Sequence, residues 1–221
     1  MMGRGGGRTV AGWVLALAGF TVVRADTVPT QGLVNYETAQ VHPLAMTPDG
    51  AVLLAVNTAG HALEVFGLET GIPVHRATIP VGLDPVSVRV RTATEAWVVN
   101  QVSDSVSVVD LSRYLVVATL RTENEPADVV FAGVPERAFV SCSDANRVQV
   151  FDPERLGAAQ ATVAIAGEEP RALAVSGDGS RVYVGIFESG NGTTVLHGRP
   201  GAAANVVSRP EGPHGGQNPP P

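Results

Sequence analysis

Acidic and histidine side chains recur at two loop positions of this sequence, and such groups can bind cations. One set stands immediately before a proline, and the other follows a short apolar strand: His42, Asp84, Glu125 and Glu169, then His61, Asp104, Asp144 and Glu188. Carboxylates suit hard cations such as calcium, and histidine combined with carboxylate suits transition metals. We therefore predict a ligand or cation site, with calcium as the candidate ion, formed by His42, Asp84, Asp104, Glu125, Asp144 and Glu169. The alternative is that these are solvated turn residues, because Asp and Glu beside Pro or Gly are ordinary in loops.

Composition limits the classes of function. The chain has 221 residues, and all of its 15 basic residues are arginine. Its net charge of −6 argues against nucleic acid as a partner. The single cysteine excludes an intrachain disulfide framework and a metal site built from cysteine alone. We find no catalytic triad spacing, haem-attachment motif or phosphate-binding glycine loop, and we assign no catalytic residue.

The first 25 residues have the pattern of a signal peptide. Arg4 and Arg8 precede an uncharged run from Thr9 to Val23, and Val23 and Ala25 place small residues before a cleavage point at Asp26. The alternative, an uncleaved membrane anchor, is less favoured because the run is short for a bilayer. The sequence therefore predicts a secreted, periplasmic or cell-envelope protein with no membrane span after cleavage.

Repeats at a period of about 42 residues organise the rest of the chain. Four apolar blocks start 43, 42 and 44 residues apart: Leu54–Asn57, Trp97–Asn100, Phe139–Cys142 and Tyr183–Ile186. A proline precedes each block, and further β-rich segments follow the first three, so that one unit contains four strands, A to D. Trp97, Phe139 and Tyr183 share one repeat position and are interpreted as packing core, and Cys142 is interpreted as a small buried apolar residue.

Four strands in a unit of 40–45 residues indicate an all-β fold, a β-propeller of antiparallel four-stranded blades. The alternative is a β-sandwich, which also has short, regularly spaced strands but does not require one signature to recur at a fixed phase. We assign a lead-in at 26–40 with a spare strand at Leu33–Ala39, blades at 41–82, 83–124, 125–168 and 169–208, and a disordered Pro/Gly-rich tail at 209–221.

The repeat resembles that of the YVTN family of β-propellers. The segments that carry the resemblance are MTPDG (46–50), LAVN (54–57), WVVN (97–100), VSVVD (106–110), ATIPVG (77–82) and YVG (183–185). The resemblance covers residues 41 to about 197 and implies a fold more than a function, because such propellers serve many roles. Related rings often have seven blades, so the four blades here are either a small closed ring or, as we favour, part of a larger one.

Three functions are compatible with these observations. The first is an exported, non-catalytic binding or scaffold module whose partner is a protein or a cell-surface ligand. The second is a propeller enzyme, a lactonase or a cofactor-dependent dehydrogenase, with a cation at the channel mouth. The third is an inactive N-terminal fragment of a larger propeller protein. A partial ring also predicts self-association through its open blade faces, since uncovered apolar surface favours association.

Overall fold

The computed structural model describes residues 39–188. The signal peptide and most of the lead-in with its spare strand fall outside this range. So do the tail and the later strands of the fourth blade, which we predicted at Thr193–Leu196 and Ala203–Val207. Within the described residues there are only strands, turns and loops, and none forms a helix long and apolar enough to cross a membrane.

Fourteen strands make up the described part of the chain, in four antiparallel sheets that follow one another in sequence. The first sheet contains β1 (Leu44–Met46), β2 (Val52–Asn57), β3 (Ala62–Gly67) and β4 (Val74–Pro80). The second contains β5 (Pro85–Thr92), β6 (Glu95–Asn100), β7 (Ser105–Asp110) and β8 (Leu115–Arg121). The third contains β9 (Pro126–Ala132), β10 (Arg137–Cys142), β11 (Arg147–Phe151) and β12 (Ala161–Ala164), and the fourth contains β13 (Glu168–Val175) and β14 (Val182–Glu188).

The sheets pack face to face as blades, which confirms the predicted propeller arrangement. The innermost strands β1, β5, β9 and β13 contact one another in that order. The main chain just before β1 also bonds β5 directly: the N–H of Val88 donates to the carbonyl of His42 at 2.9 Å. Each sheet pairs its strands in sequence order, as a meander joined by short turns does.

Three apolar clusters lie between successive blades and hold them together. We call the face that a blade turns toward the preceding blade its front face, and the opposite one its back face. Leu54, Leu63 and Val65 on the back of the first blade pack against Val88 and Val98 on the front of the second. Trp97, Val106 and Val108 continue this pattern against Val129 and Val140 of the third, and Val148 packs against Leu173 of the fourth.

Alternation along the strands explains how one sequence serves two faces. In β6, Ala96 and Val98 lie on the front cluster while Trp97 and Val99 lie on the back cluster, and all four are fully buried. The aromatic repeat position is buried as predicted at Trp97, whereas Phe139 is only partly buried and Tyr183 is 54% exposed. Tyr183 differs because it lies on the back face of β14, which no later described strand covers.

The turns between strands A and B form as their sequences predict. In the first blade Thr47 Oγ1 and the N–H of Ala51 both donate to Asp49 Oδ1, at 2.6 and 3.1 Å. Asp178 accepts the equivalent hydrogen bonds from Ser176 and Ser180 in the fourth blade, and these bonds lower its pKa to about 2. The Asp side chain therefore supplies an acceptor for main-chain N–H groups that the tight turn leaves without a main-chain partner.

Candidate functional site

Neighbouring blades are joined at one end by a hydrogen bond that recurs at all three junctions. The N–H of Glu125, just before strand β9, donates to Asp104 Oδ1 of the second blade at 2.9 Å. The N–H of Glu169 donates to Asn146 Oδ1 at 2.9 Å, and the N–H of Asp84 donates to His61 Nδ1 at 3.2 Å. We call this contact the blade latch. It places the loops between strands B and C at the same end as the loops that lead from strand D into strand A of the next blade.

Every latch residue has left-handed backbone geometry. The φ angles are 50° and 50° for His61 and Asp84, 46° and 52° for Asp104 and Glu125, and 53° and 54° for Asn146 and Glu169. Residues other than glycine rarely adopt this backbone conformation, and where they do, a specific contact in the surrounding structure normally requires it. The demand here is the latch, which turns the N–H of one loop toward a side-chain acceptor of the other.

The latch gives several predicted ligand residues a structural role. Asp104 uses a carboxylate oxygen as the acceptor, while Asp84, Glu125 and Glu169 contribute their main-chain N–H groups. The carboxylate of Glu125 accepts a 3.2 Å hydrogen bond from the side chain of Gln101. These residues therefore lie at one end of the blades, where the carboxylates of Asp104 and Glu125 accept hydrogen bonds from neighbouring loops.

Two of the six predicted residues lie away from the positions that the repeat alignment gave them. Leu44 pairs with Ala55 in the same way as Leu173 pairs with Val184, so Pro43 stands two residues deeper in its strand than Pro170 does. Gln40 therefore occupies the pre-strand position, and its amide reaches Thr58 Oγ1 at 2.8 Å. The sequence alignment misplaced His42 because it matched prolines instead of strand register.

Asp144 also lies off the latch. Its carboxylate accepts a 3.1 Å hydrogen bond from Asn124 on an exposed surface, and Asn146 takes the latch position two residues later. Within residues 39–188, no three His, Cys, Asp or Glu side chains come together in a group that could hold a metal ion. Binding of calcium or another ligand by the six residues stays a prediction.

An ion pair lies among the innermost strands, where the sequence analysis assigned no site. Asp128 is fully buried, and its two carboxylate oxygens accept hydrogen bonds from Arg89 at 3.1 and 2.8 Å. Asp128 Oδ2 also accepts the main-chain N–H of Leu173 at 3.0 Å, so this side chain links three blades. Burial and the nearby Arg89 lower the pKa of His42, while Asp128 opposes that shift. The junction between the second and third blades is therefore polar among the innermost strands.

A second polar group joins the second and third blades at the end opposite to the latch. Arg91 contacts Glu136 at 2.7 Å and Glu95 at 3.3 Å, and it also pairs with Glu154. Burial disfavours the charge of Arg91, but its hydrogen bonds to Glu136, Glu154 and Glu95 outweigh burial and raise its pKa. Arg91 therefore stays charged and ties loops of the third blade to the second.

A cleft of about 540 Å³ opens between the outer strands of the second and third blades. Most of its lining is polar or small: Thr119, Leu120, Arg121, Thr122, Glu123, Gln149, Gly157, Ala158, Ala159 and Thr162. One wall belongs to the loop between β11 and β12, which runs from 152 to 160 and is longer than the corresponding loops at 68–73 and 111–114. Such a volume is typical of sites for small ligands.

Two side chains of the cleft have polar atoms that the described fold does not use. Thr122 Oγ1 is buried without a hydrogen-bond partner in the described range. Gln149 accepts the N–H of Glu123 at 2.9 Å and the thiol of Cys142 at 3.6 Å through Oε1, and its amide nitrogen donates to no described protein atom. Since Oε1 is fixed by these contacts, the orientation of the amide is fixed too.

Thr122 differs in chemistry from the residues at the equivalent positions of the first and third blades. The N–H groups of Val81, Thr122 and Ile165 make the same main-chain hydrogen bond in their blades, to His61, Asp104 and Asn146 respectively. The first and third blades thus carry an apolar residue where the second carries a hydroxyl. That exchange is visible in the sequence, but only strand register shows that the three positions correspond.

The remaining sequence interpretations have mixed outcomes. Cys142 is fully buried, and burial raises the pKa of its thiol to about 12, which confirms that it is a packing residue. We also interpret Asn57 and Asn100, which end equivalent blocks, as residues that bond loop main chain. Asn57 Oδ1 accepts the N–H of Gly60 at 2.9 Å, whereas Asn100 donates to the hydroxyls of Ser105 and Ser107 within its own sheet.

Comparison with known proteins identifies the fold. The sequence matches no protein-family model and no curated protein. Among solved structures, Kuenenia stuttgartiensis hydrazine synthase superposes with a TM-score of 0.62 at 23% identity, over 73% of this chain and 46% of that one. A 6-phosphogluconolactonase candidate from Bacteroides uniformis gives 0.57 at 22% identity, over 67% and 51%. The dihydro-heme d1 dehydrogenase NirN gives 0.53 at 18% identity, over 65% and 32%.

These likenesses support a β-propeller-type fold and leave the activity open. The chain spans about half the length of the first solved structures that it matches.

Proposed function

We propose that this protein is an exported β-propeller module of the YVTN type that binds a ligand at the cell envelope or outside the cell without transforming it. The signal-peptide pattern of residues 1–25 supports export, and the repeated blade motifs support the YVTN assignment. The observation that carries the binding function is the cleft between the second and third blades, whose polar groups the fold leaves unused.

The chemistry of the cleft favours a ligand rich in hydroxyl groups, such as a sugar of a cell-surface polymer. Gln149 offers an amide donor, and the Thr122 hydroxyl, which is buried in the cleft wall, can both donate and accept when a bound ligand opens that wall. A sugar hydroxyl matches both groups. Leu120 and the alanines of the loop add apolar surface against which the carbon-bound face of a sugar ring can pack.

An unpartnered buried hydroxyl normally costs stability, about 1–3 kcal/mol, which is a reason for its absence from the other blades. We expect Thr122→Val to stabilise the free protein by about 1 kcal/mol and to weaken sugar binding at least tenfold. Opposite changes of stability and affinity would be the signature of a residue kept for binding.

The experiment uses the full chain without its signal segment. Calorimetry and saturation-transfer NMR with glucose, galactose and N-acetylglucosamine would measure binding to the wild type, to Thr122→Val and to Gln149→Leu. Thr94→Val, which makes the same chemical change at an exposed loop residue, is the matched control. Absence of binding by all three sugars, or equal affinity of Thr122→Val and wild type, would refute this proposal.

Export itself has a separate test. Expression with the native N-terminus in a bacterial host should yield an extracytoplasmic protein that begins at Asp26. A product that keeps residues 1–25 would contradict the signal-peptide assignment.

The second candidate function is an enzyme with a cation at the latch end of the blades. Its support is that the solved structures similar to this chain include proteins named as enzymes. Calorimetric titration with calcium, followed by a lactone-hydrolysis assay on 6-phosphogluconolactone, tests it. Asp104→Asn is the informative variant, because Asn146 shows that asparagine can form the latch without a charge. Calcium binding lost by this variant at unchanged stability would favour the enzyme.

A further inference from the structure

Faces that no described blade covers remain at both ends of the described row of blades, and large apolar side chains are exposed on both. On the front of the first blade, Leu44 is 55% exposed. Strand register makes Leu44 equivalent to Val88, Val129 and Leu173, which are 0%, 0% and 4% exposed. Met46, at 54% exposure, lies beside it on the same face.

The rest of this front face has an apolar pair beside a polar group in which Glu64 contacts His75 and Thr78. Leu53 and Phe66 are opposite each other in the first blade, as Ala138 and Phe151 are in the third. In the third blade that pair belongs to the cluster that packs on the second blade. The first blade therefore presents an apolar surface of the kind that the repeat elsewhere covers.

On the back of the fourth blade, too, apolar residues are exposed at positions that are buried in the other blades. Tyr183 is 54% exposed, whereas Trp97 at the equivalent position is fully buried. Phe187 is 70% exposed and follows in the position of Thr58 and Ser143, which are 2% and 1% exposed. Thr58 Oγ1 and Ser143 Oγ donate to the carbonyls of Pro85 and Pro170 of the next blade, at 2.8 and 3.0 Å, so this position is an interblade contact.

We propose that a second copy of this chain covers both faces. At each described junction a back face packs on a front face of the same repeat, and the described residues 39–188 of each copy leave one face of each kind uncovered. The front of the first blade in one copy fits the back of the fourth blade in the other. Two such contacts, related by a twofold axis along the channel, would close one ring from two chains.

Symmetry supports two copies as the number that closes. The described residues of one copy leave one face of each kind uncovered, so two copies related by a twofold axis cover all of these faces, and cyclic dimers are the commonest closed assemblies. The contact joins unlike faces, so it is heterologous, and a rotation that closes it gives a ring whereas one that fails to close gives an open filament.

The first measurement is the molar mass of the full chain without its signal segment, by light scattering and by sedimentation at several concentrations. We expect a dimer. We expect Leu44→Glu on the front face and Phe187→Glu on the back face each to weaken dimerisation at least tenfold. Val117→Glu, on the outermost strand β8 at 48% exposure, is the matched control and should leave the dimer intact.

Mixing the two variants separates a specific contact from general stickiness. In a mixed dimer both substitutions fall in one interface and the other interface is wild type in both partners, so association of the mixture should recover in part. Circular dichroism and the thermal midpoint establish that each variant is folded. A folded wild-type monomer, a ladder of larger species, or a mixture no better than its components would overturn the proposal.

Discussion

The first and second blade junctions use the same repeat but different chemistry. Between the first and second blades, Leu54, Leu63 and Ile79 pack on Val88 and Val98. Between the second and third blades an equally apolar cluster is bordered at its two ends by Arg89 with Asp128 and by Arg91 with its glutamates. Among the described residues the first junction has no arginine–carboxylate pair, and its polar contacts are hydrogen bonds such as the latch and the one from Thr58 to Pro85, so blade packing does not need the ion pairs.

The added charges fix geometry more than they add stability. A buried ion pair costs desolvation that its attraction only partly repays, but breaking it leaves an uncompensated charge. Asp128 links three innermost strands, so it can set how the second, third and fourth blades lie against one another. The second junction should therefore be sensitive to single polar substitutions, and the first should respond mainly to lost volume.

The largest effect is expected at Asp128. Asp128→Ala leaves Arg89 and the N–H of Leu173 without their acceptor, and we expect a loss of about 3–5 kcal/mol in the free energy of unfolding measured with urea.

The double variant Asp128→Leu with Arg89→Met removes both charges and should recover most of that loss, since no buried charge stays unpaired. A double variant as unstable as the single one would show that the ion pair has no such role.

The first junction should respond next. Leu63→Ala removes a fully buried side chain from its cluster, and we expect a loss of about 3 kcal/mol from transfer and cavity terms. The same urea titration measures it. A loss below about 1 kcal/mol would mean that this junction relaxes around the cavity and is less tightly packed than the structure indicates.

A smaller effect concerns His42, beside the polar inner end of the second junction. Burial and Arg89 lower its pKa in the folded protein, so the unfolded chain binds a proton first as the pH falls. The stability associated with neutral His42 is present above pH 6.5, the unfolded value, and decreases as the pH falls below it. His42→Gln should flatten the dependence of unfolding free energy on pH between 8 and 5. An unchanged slope would contradict this account.

The smallest expected effect is a change in the reactivity of the Cys142 thiol, which lies in the second junction and becomes accessible when that junction opens. Its thiol is buried in the cluster and its pKa is raised to about 12, so a thiol reagent at pH 8 should not react with the native wild type. Leu63→Ala should leave it protected, whereas Asp128→Ala should expose it measurably. Equal labelling of both variants would mean that the two junctions open together.

The fold could be predicted from the sequence because its signal is repeated. Blocks such as Trp97–Asn100 recur at nearly constant spacing, and apolar strands covered on both faces leave few other arrangements. The candidate site was harder, since the prolines that aligned three blades misled at Pro43, and only the pairing of Leu44 with Ala55 shows the shift. Asp128 and Thr122 are single polar residues in apolar strands, and their meaning depends on partners in other blades that no local pattern reveals.

The blade latch separates what holds the molecule together from what it shows to its surroundings. At Asp84, Glu125 and Glu169 the junction is made by a main-chain N–H, which any residue except proline supplies. The side chains there can be exchanged for others that tolerate the left-handed backbone geometry, which β-branched residues do not, while the blades keep their places. Within that limit, one end of this scaffold can acquire new specificities by single substitutions.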